Sequence, residues 1–213
     1  MKFLAHRGLW NIPIEKNTLD SLKSALSKGF GIETDFRDYN GELVISHDVA
    51  TVNSPKAESF FKFYHEIKSD AMLAINVKAD GIQNLILPLL ESYNIHNYFL
   101  FDMSIPEYVV NVDKGLNSFT RHSDIECECV MYERAKGVWM DSFFDTNWLS
   151  LENIKKHLKN NKKVCIVSPE LHGKDKYGIW GRLKANLDIL NDDTLLCTDT
   201  PEEAEVYFYG KED

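Results

Sequence analysis

A compact (β/α)8 barrel with a short extra strand after its second strand is the fold class this sequence predicts, and three observations predict it. Short β-like runs alternate with helix-like stretches to the C-terminus. The principal runs number eight, and 213 residues lies near the compact end for eight strand–helix repeats. The polar residues able to do chemistry also fall at or just past the carboxyl ends of those runs: His6, Glu33, Asp35, Lys78, Asp102, Arg121, Asp141, Glu170 and Asp199. A barrel gathers such ends at one mouth. A doubly wound open sheet, the competing class, spreads them along an edge.

Each element has its own signal. Phe3-Leu4-Ala5 reads as the first strand. Asn17-Thr18 is an N-cap signal for a helix carrying Leu19, Leu22, Ala25 and Leu26 on one face and stopping at Lys28-Gly29. Residues 31–36 form the second strand, and 42–46 the extra strand after the Asn40-Gly41 turn. The third strand, 72–77, precedes a helix over about 83–93, and the fourth is 98–101. Pro106 suits the first turn of the next helix. Strands five and six are 117–120 and 137–140. Ser150 caps a helix bearing Leu151, Ile154 and Leu158, strands seven and eight are 163–167 and 194–197, and a proline-started helix follows. The stretch 49–70 carries no predicted element.

With 44% hydrophobic residues and no low-complexity tract or linker, one domain spanning 1–213 is expected to fold alone. A formal charge of −9 argues against nucleic acid, which demands a basic stripe. No apolar run approaches the roughly 20 residues of a membrane helix, and the start lacks signal-peptide features. A cytoplasmic protein with no membrane span is expected, its oligomeric state unspecified. Cys127, Cys129, Cys165 and Cys197 lack the paired spacing of a structural zinc site and read as buried free thiols.

Residues two apart on a strand face the same side, so Glu33 and Asp35 present their carboxylates together. An isolated Glu-x-Asp is more often a solvated strand end, but this pair has two histidines for company. His6 leaves the first strand and His47 the extra strand, so one imidazole can take a proton while the other gives one. Arg7 suits contact with an oxyanion. Together these residues make a set able to cleave a phosphodiester around one divalent cation, Mg2+ or Ca2+, both of which prefer oxygen ligands. In the second half, Arg121, Glu170 and His172 are expected to bind substrate, and Trp139 and Trp180 are weaker candidates for stacking on a polyol. His65, His96 and His157 have no expected role.

His6-Arg7-Gly8, Asn17-Thr18, Glu33-x-Asp35, Asn40-Gly41 and His47-Asp48 together resemble the glycerophosphodiester phosphodiesterase family, within the phosphatidylinositol-phospholipase-like barrels. The density of matches lies in the first 48 residues; beyond them Asn76-x-Lys78, Asp141 and Thr198-Asp199 match more thinly. The resemblance implies a (β/α)8 phosphoric diester hydrolase acting on a small-molecule phosphodiester, with His6 and His47 as acid and base. It further implies Glu33 and Asp35 as metal ligands, and Arg7 and Lys78 as phosphate contacts.

Two departures stand out. The family's Glu-x-Lys on the third strand is here Asn76-Val77-Lys78, so an amide replaces a third carboxylate and metal affinity should fall. Asp102 is a candidate to compensate. The family's Pro-Glu-Asn-Thr appears as Pro13-Ile14-Glu15-Lys16-Asn17-Thr18, displacing Glu15. Two alternatives therefore stand beside hydrolysis: a lyase that stops at a cyclic phosphate, and a weakened enzyme that only binds a phosphodiester or glycan phosphate.

Overall fold

Nine strands and seven α-helices form in the chain order the apolar runs dictate, in a computed structural model that describes residues 1–210. The strands are β1 (Lys2–His6), β2 (Gly31–Tyr39), β3 (Glu42–Ile45), β4 (Leu73–Val77), β5 (Tyr98–Phe101), β6 (Phe119–Ser123), β7 (Gly137–Asp141), β8 (Lys163–Val167) and β9 (Thr194–Thr198). The helices are α1 (Leu19–Ser27), α2 (Ala57–Glu66), α3 (Gln83–Ser92), α4 (Ile105–Asp113), α5 (Leu151–Lys159), α6 (Tyr177–Lys184) and α7 (Pro201–Tyr209). In the sheet the order is β5-β4-β2-β1-β9-β8-β7-β6, with β3 pairing antiparallel to β2 at one side. This is the (β/α)8 class, the extra strand lying where the Asn40-Gly41 turn predicts it.

Residue contacts divide the chain into two compact units: an N-terminal unit, Ala5–Ser118, and a C-terminal unit, Met1–Leu4 with the chain from Phe119 onward. In the N-terminal unit every residue of β4 is buried, as expected of a parallel strand covered on both faces. β4 sets the register there, pairing Asp35 with Asn76 and Asn76 with Phe101. Phe36 and Phe61 pack edge to face at 5.4 Å, which buries the inner face of α2. That helix fills the stretch where no element was predicted. It begins without a side-chain cap, so its start left no mark in the sequence, and apolar burial of Ala57, Phe60, Phe61 and Tyr64 holds it.

In the C-terminal unit β7 and β9 are buried throughout. Trp180, on the unpredicted helix α6, is fully buried among Tyr177, Tyr207 and Phe208. Its indole N–H donates to Ser168 Oγ at 2.8 Å. It is therefore a core residue whose one polar atom is satisfied inside, which corrects its reading as a stacking platform. The cysteines need a correction too: Cys165 and Cys197 are buried, Cys129 is partly exposed and Cys127 is exposed, the last two lying in the loop after β6 rather than in a strand. Among the described residues no helix is long and apolar enough to cross a membrane.

Candidate active site

The end of β1 turns abruptly, and the His-Arg-Gly sequence is what allows it. Arg7 has φ 60° and Gly8 φ 91°, the left-handed region that costs an ordinary residue about 1–2 kcal/mol. Arg7 is held there from both sides. Its N–H donates to the Glu33 carbonyl at 2.8 Å, and its own carbonyl accepts from Asn17 N–H at 3.0 Å and from Ser21 Oγ at 3.2 Å. A Cβ on Gly8 would meet the Ser21 carbonyl carbon and Oγ at 2.6 Å, so only glycine lets α1 approach this turn.

The loop into α1 divides its labour between neighbours. Thr18 caps the helix, accepting from Ser21 N–H at 3.2 Å. Asn17, also left-handed at φ 61°, is buried; its Nδ2 donates to Asp35 Oδ2 and its Oδ1 accepts from Thr34 Oγ1, each at 2.8 Å. The residue expected only to signal a helix start thus orients a carboxylate. Glu15 turns back on its own loop, accepting from Asn11 N–H at 2.7 Å and Ile12 N–H at 3.3 Å.

Glu33 and Asp35 are 2% and 0% exposed, side by side as their spacing predicts. Arg7 Nε lies 3.0 Å from Asp35 Oδ2, as an ion pair off the hydrogen-bond direction. Lys78 Nζ lies 3.5 Å from Asp35 Oδ1 and 3.6 Å from Asp102 Oδ2. His6 Nε2 stands 3.8 Å from Glu33 Oε2, and Asn76 Nδ2 donates to Glu33 Oε1 at 3.4 Å. Burial above all, then the charge of Asp35, pushes the Glu33 carboxyl well above its usual range, against the pull of Arg7, Lys78 and Asn76.

Three oxygens in this cluster, Glu33 Oε2, Asp35 Oδ1 and Asn76 Oδ1, are buried and accept no hydrogen bond. Each such atom costs roughly 1–3 kcal/mol unless something positive meets it. Two carboxylates and an amide are a hard-oxygen donor set of the kind Mg2+ and Ca2+ take. The residues present fit a divalent cation.

His47 lies just past β3, the strand that pairs with β2. Ser46 N–H donates to the Asp35 carbonyl at 2.9 Å, prolonging the β2–β3 ladder by one residue, and His47 follows. Its carbonyl accepts from Arg37 Nε and Nη2 at 3.2 Å, and its ring Nδ1 lies 2.9 Å from Asp48 Oδ1. Its side chain is 46% exposed. The His47 hydrogen bond is the main cause holding the Asp48 carboxyl below its usual value, and the Arg7 charge adds to it, so this loop lies within the field of Arg7.

In the C-terminal unit Glu170 and His172 follow the end of β8, whereas Arg121, expected just past a strand over 117–120, lies in the middle of β6. Arg121 pairs with Glu126. Glu170 accepts from Ser168 Oγ, from Thr198 Oγ1 at 2.5 Å and from Asp199 N–H at 3.2 Å, tying the end of β8 to that of β9. His172 Nε2 lies 2.7 Å from Asp141 Oδ1, a hydrogen bond that raises the imidazole pKa despite burial. One group escaped sequence reasoning: His122, Cys129 and His157 bring their ligand atoms within 4.8 Å of one another. Their spacing of seven and 28 residues matches no metal motif, and only the packing of α5 brings them together.

No protein-family profile and no curated protein matches the sequence. Solved structures do match in fold. A candidate glycerophosphodiester phosphodiesterase from Galdieria sulphuraria superposes with a TM-score of 0.74 at 17% identity, over 97% of both chains. A glycerophosphodiester phosphodiesterase from Parabacteroides distasonis gives 0.70 at 15%, over 98% of this chain and 97% of its own. An Oleispira antarctica phosphodiesterase, solved with its product sn-glycerol-3-phosphate, gives 0.69 at 14%, over 97% and 96%. Over nearly its whole length, then, this chain is similar in fold to phosphodiesterase barrels of these organisms.

Proposed function

We propose that the chain is a phosphoric diester hydrolase that cleaves a glycerophosphodiester-type substrate into an alcohol and a phosphomonoester. The observation that carries this reading is the buried cluster itself: two carboxylates and an amide with three oxygens that accept no hydrogen bond, flanked by Arg7, Lys78 and the imidazole of His6. A purely structural cluster would satisfy those oxygens. The product bound to the Oleispira phosphodiesterase supports glycerol phosphate as the part of the substrate held here.

Arg7 and Lys78, both within ion-pair reach of Asp35, supply the positive charge that a phosphodiester needs on leaving water. Glu33, Asp35 and Asn76 would hold a divalent cation, Mg2+ or Ca2+, whose charge offsets that building on a nonbridging oxygen. A hydroxyl of the substrate next to the ester attacks phosphorus, losing its proton to one imidazole. The P–O bond to the alcohol breaks and that alkoxide takes a proton from the other. Water then adds to the cyclic phosphate, the ring P–O bond opens and the two imidazoles exchange roles. His6 and His47 fill these roles, the neighbouring Asp48 fixing Nδ1 of His47.

The test is a panel of glycerophosphodiesters incubated with Mg2+, Ca2+ or Mn2+ and followed by phosphorus NMR. A phosphomonoester end product supports hydrolysis. Accumulation of a cyclic phosphate assigns a lyase instead, and saturable binding without turnover under every metal rejects an enzyme.

A further inference from the structure

We propose that His122, Cys129 and His157 form a nitrogen–sulfur site for a borderline-soft divalent ion of the zinc class, which ties the loop after β6 to α5. The three come from different elements: His122 from β6, Cys129 from the loop that follows it, His157 from α5. His122 and His157 are 7% and 1% exposed, Cys129 partly so. An ion thus has two buried donors and an entry on the cysteine side.

The proton of His122 is already arranged for it, and that of His157 has one place to move to. His122 Nε2 lies 3.1 Å from the Cys127 carbonyl, which can only accept, so Nε2 carries the hydrogen and Nδ1 offers its lone pair. That Nδ1 faces His157 Nε2 at 2.9 Å. Behind His157, Nδ1 lies 2.9 Å from Tyr132 Oη, which accepts from Asn160 Nδ2 at 3.3 Å. Imidazole ligands characteristically place their second nitrogen against a carbonyl or similar group that sets the tautomer. Here both do. Burial also lowers both imidazole pKa values, that of His157 to about 4, so each ring is neutral, the form that ligates.

A hydrogen-bonded chain through Tyr132, His157 and His122 accounts for the rings without accounting for the thiol, which takes no part in it. Zinc–nitrogen bonds of about 2.0–2.1 Å and a zinc–sulfur bond of about 2.3 Å set ligand atoms roughly 3.3–3.7 Å apart. The two nitrogens need to part by a few tenths of an ångström, and the sulfur to close in by no more than about 1 Å. On binding, the hydrogen of His157 moves from Nε2 to Nδ1 and donates to Tyr132 Oη, whose own hydrogen turns outward. Cys129 loses its proton to solvent, and the ion takes the thiolate and two ring lone pairs. Three protein ligands leave a fourth tetrahedral position for water.

The test titrates the full chain with Co2+ in excess Mg2+, reading the thiolate-to-cobalt charge-transfer band, which an oxygen-only site cannot produce. Saturation at one ion per chain is expected, with the band present in Cys127→Ser, absent in Cys129→Ser and abolished when Zn2+ displaces Co2+. Tyr132→Phe should weaken binding roughly ten- to a hundred-fold, the usual effect of removing a group behind a ligand. Circular dichroism and the unchanged fold of Cys129→Ser, a partly exposed and conservative change, separate loss of the site from loss of structure. No band in the unaltered chain, or a band that persists in Cys129→Ser, overturns the proposal.

Discussion

The oxygen cluster around Glu33 and the imidazole pair His122–His157 are both buried polar groups, and they handle burial in opposite ways. The imidazoles are satisfied: every ring nitrogen has a partner, and burial keeps them neutral. The oxygen cluster is left short of donors, and burial there disfavours the charged form of Glu33. A satisfied network stabilises the chain as it stands, whereas an unsatisfied one keeps its interaction energy for whatever binds.

The largest test of that contrast is turnover. His6→Ala should lower kcat on a glycerophosphodiester by roughly 10² to 10⁴, the range supplied by a general acid or base. Near-native turnover would remove His6 from the chemistry.

Stability comes next. Gly8→Ala forces a Cβ to 2.6 Å from the Ser21 backbone at a left-handed φ, and overpacking together with this strain should cost about 1–3 kcal/mol in denaturant titration. Asn17→Ala strips Asp35 of its one short side-chain donor and adds a fourth orphan to the cluster, which should cost about 1–3 kcal/mol. An unchanged midpoint would mean that water serves Asp35 equally well.

Asn76→Asp sharpens the comparison with opposite signs in two buffers. With chelator present, a third buried carboxylate should lower the melting temperature. With Mg2+ present it should tighten binding by roughly ten-fold, about 1.4 kcal/mol, as measured by calorimetry. A loss in both buffers would reject Asn76 as a ligand position.

The smallest effects are in pH, and the two regions respond in opposite directions. Glu33 has a folded pKa raised above its unfolded value, so in chelator its contribution is fully present below about pH 4.5 and is lost as pH rises toward the folded pKa. His157 has a folded pKa lowered to about 4, so its contribution is present above about 6.5 and is lost as pH falls through that interval. Denaturant titrations of Glu33→Gln and His157→Gln against pH should each flatten one limb of the stability profile. If Glu33→Gln leaves the alkaline limb unchanged, Glu33 is not its origin.

Much of the fold was legible because its signals are local. Apolar runs, the Thr18 and Ser150 caps, Pro106 in the first turn of α4 and the Asn40-Gly41 turn each act within a few residues. Helices α2 and α6 were not read in the sequence; neither has a side-chain cap or a proline start, and burial of their apolar residues defines them. In the oxygen cluster the period of two along β2 was enough to place Glu33 beside Asp35.

By itself, then, the sequence determined the order of the strands, the extra strand and the paired carboxylates, because each follows from spacing along one stretch of backbone. Tertiary structure alone decided that Asn17 holds Asp35, that Asn76 pairs across β2–β4 to stand by Glu33, and that α5 carries His157 to His122. Those meetings join residues 18, 43 and 35 positions apart in the chain, and such distances are set by strand register and helix packing, which no local pattern encodes.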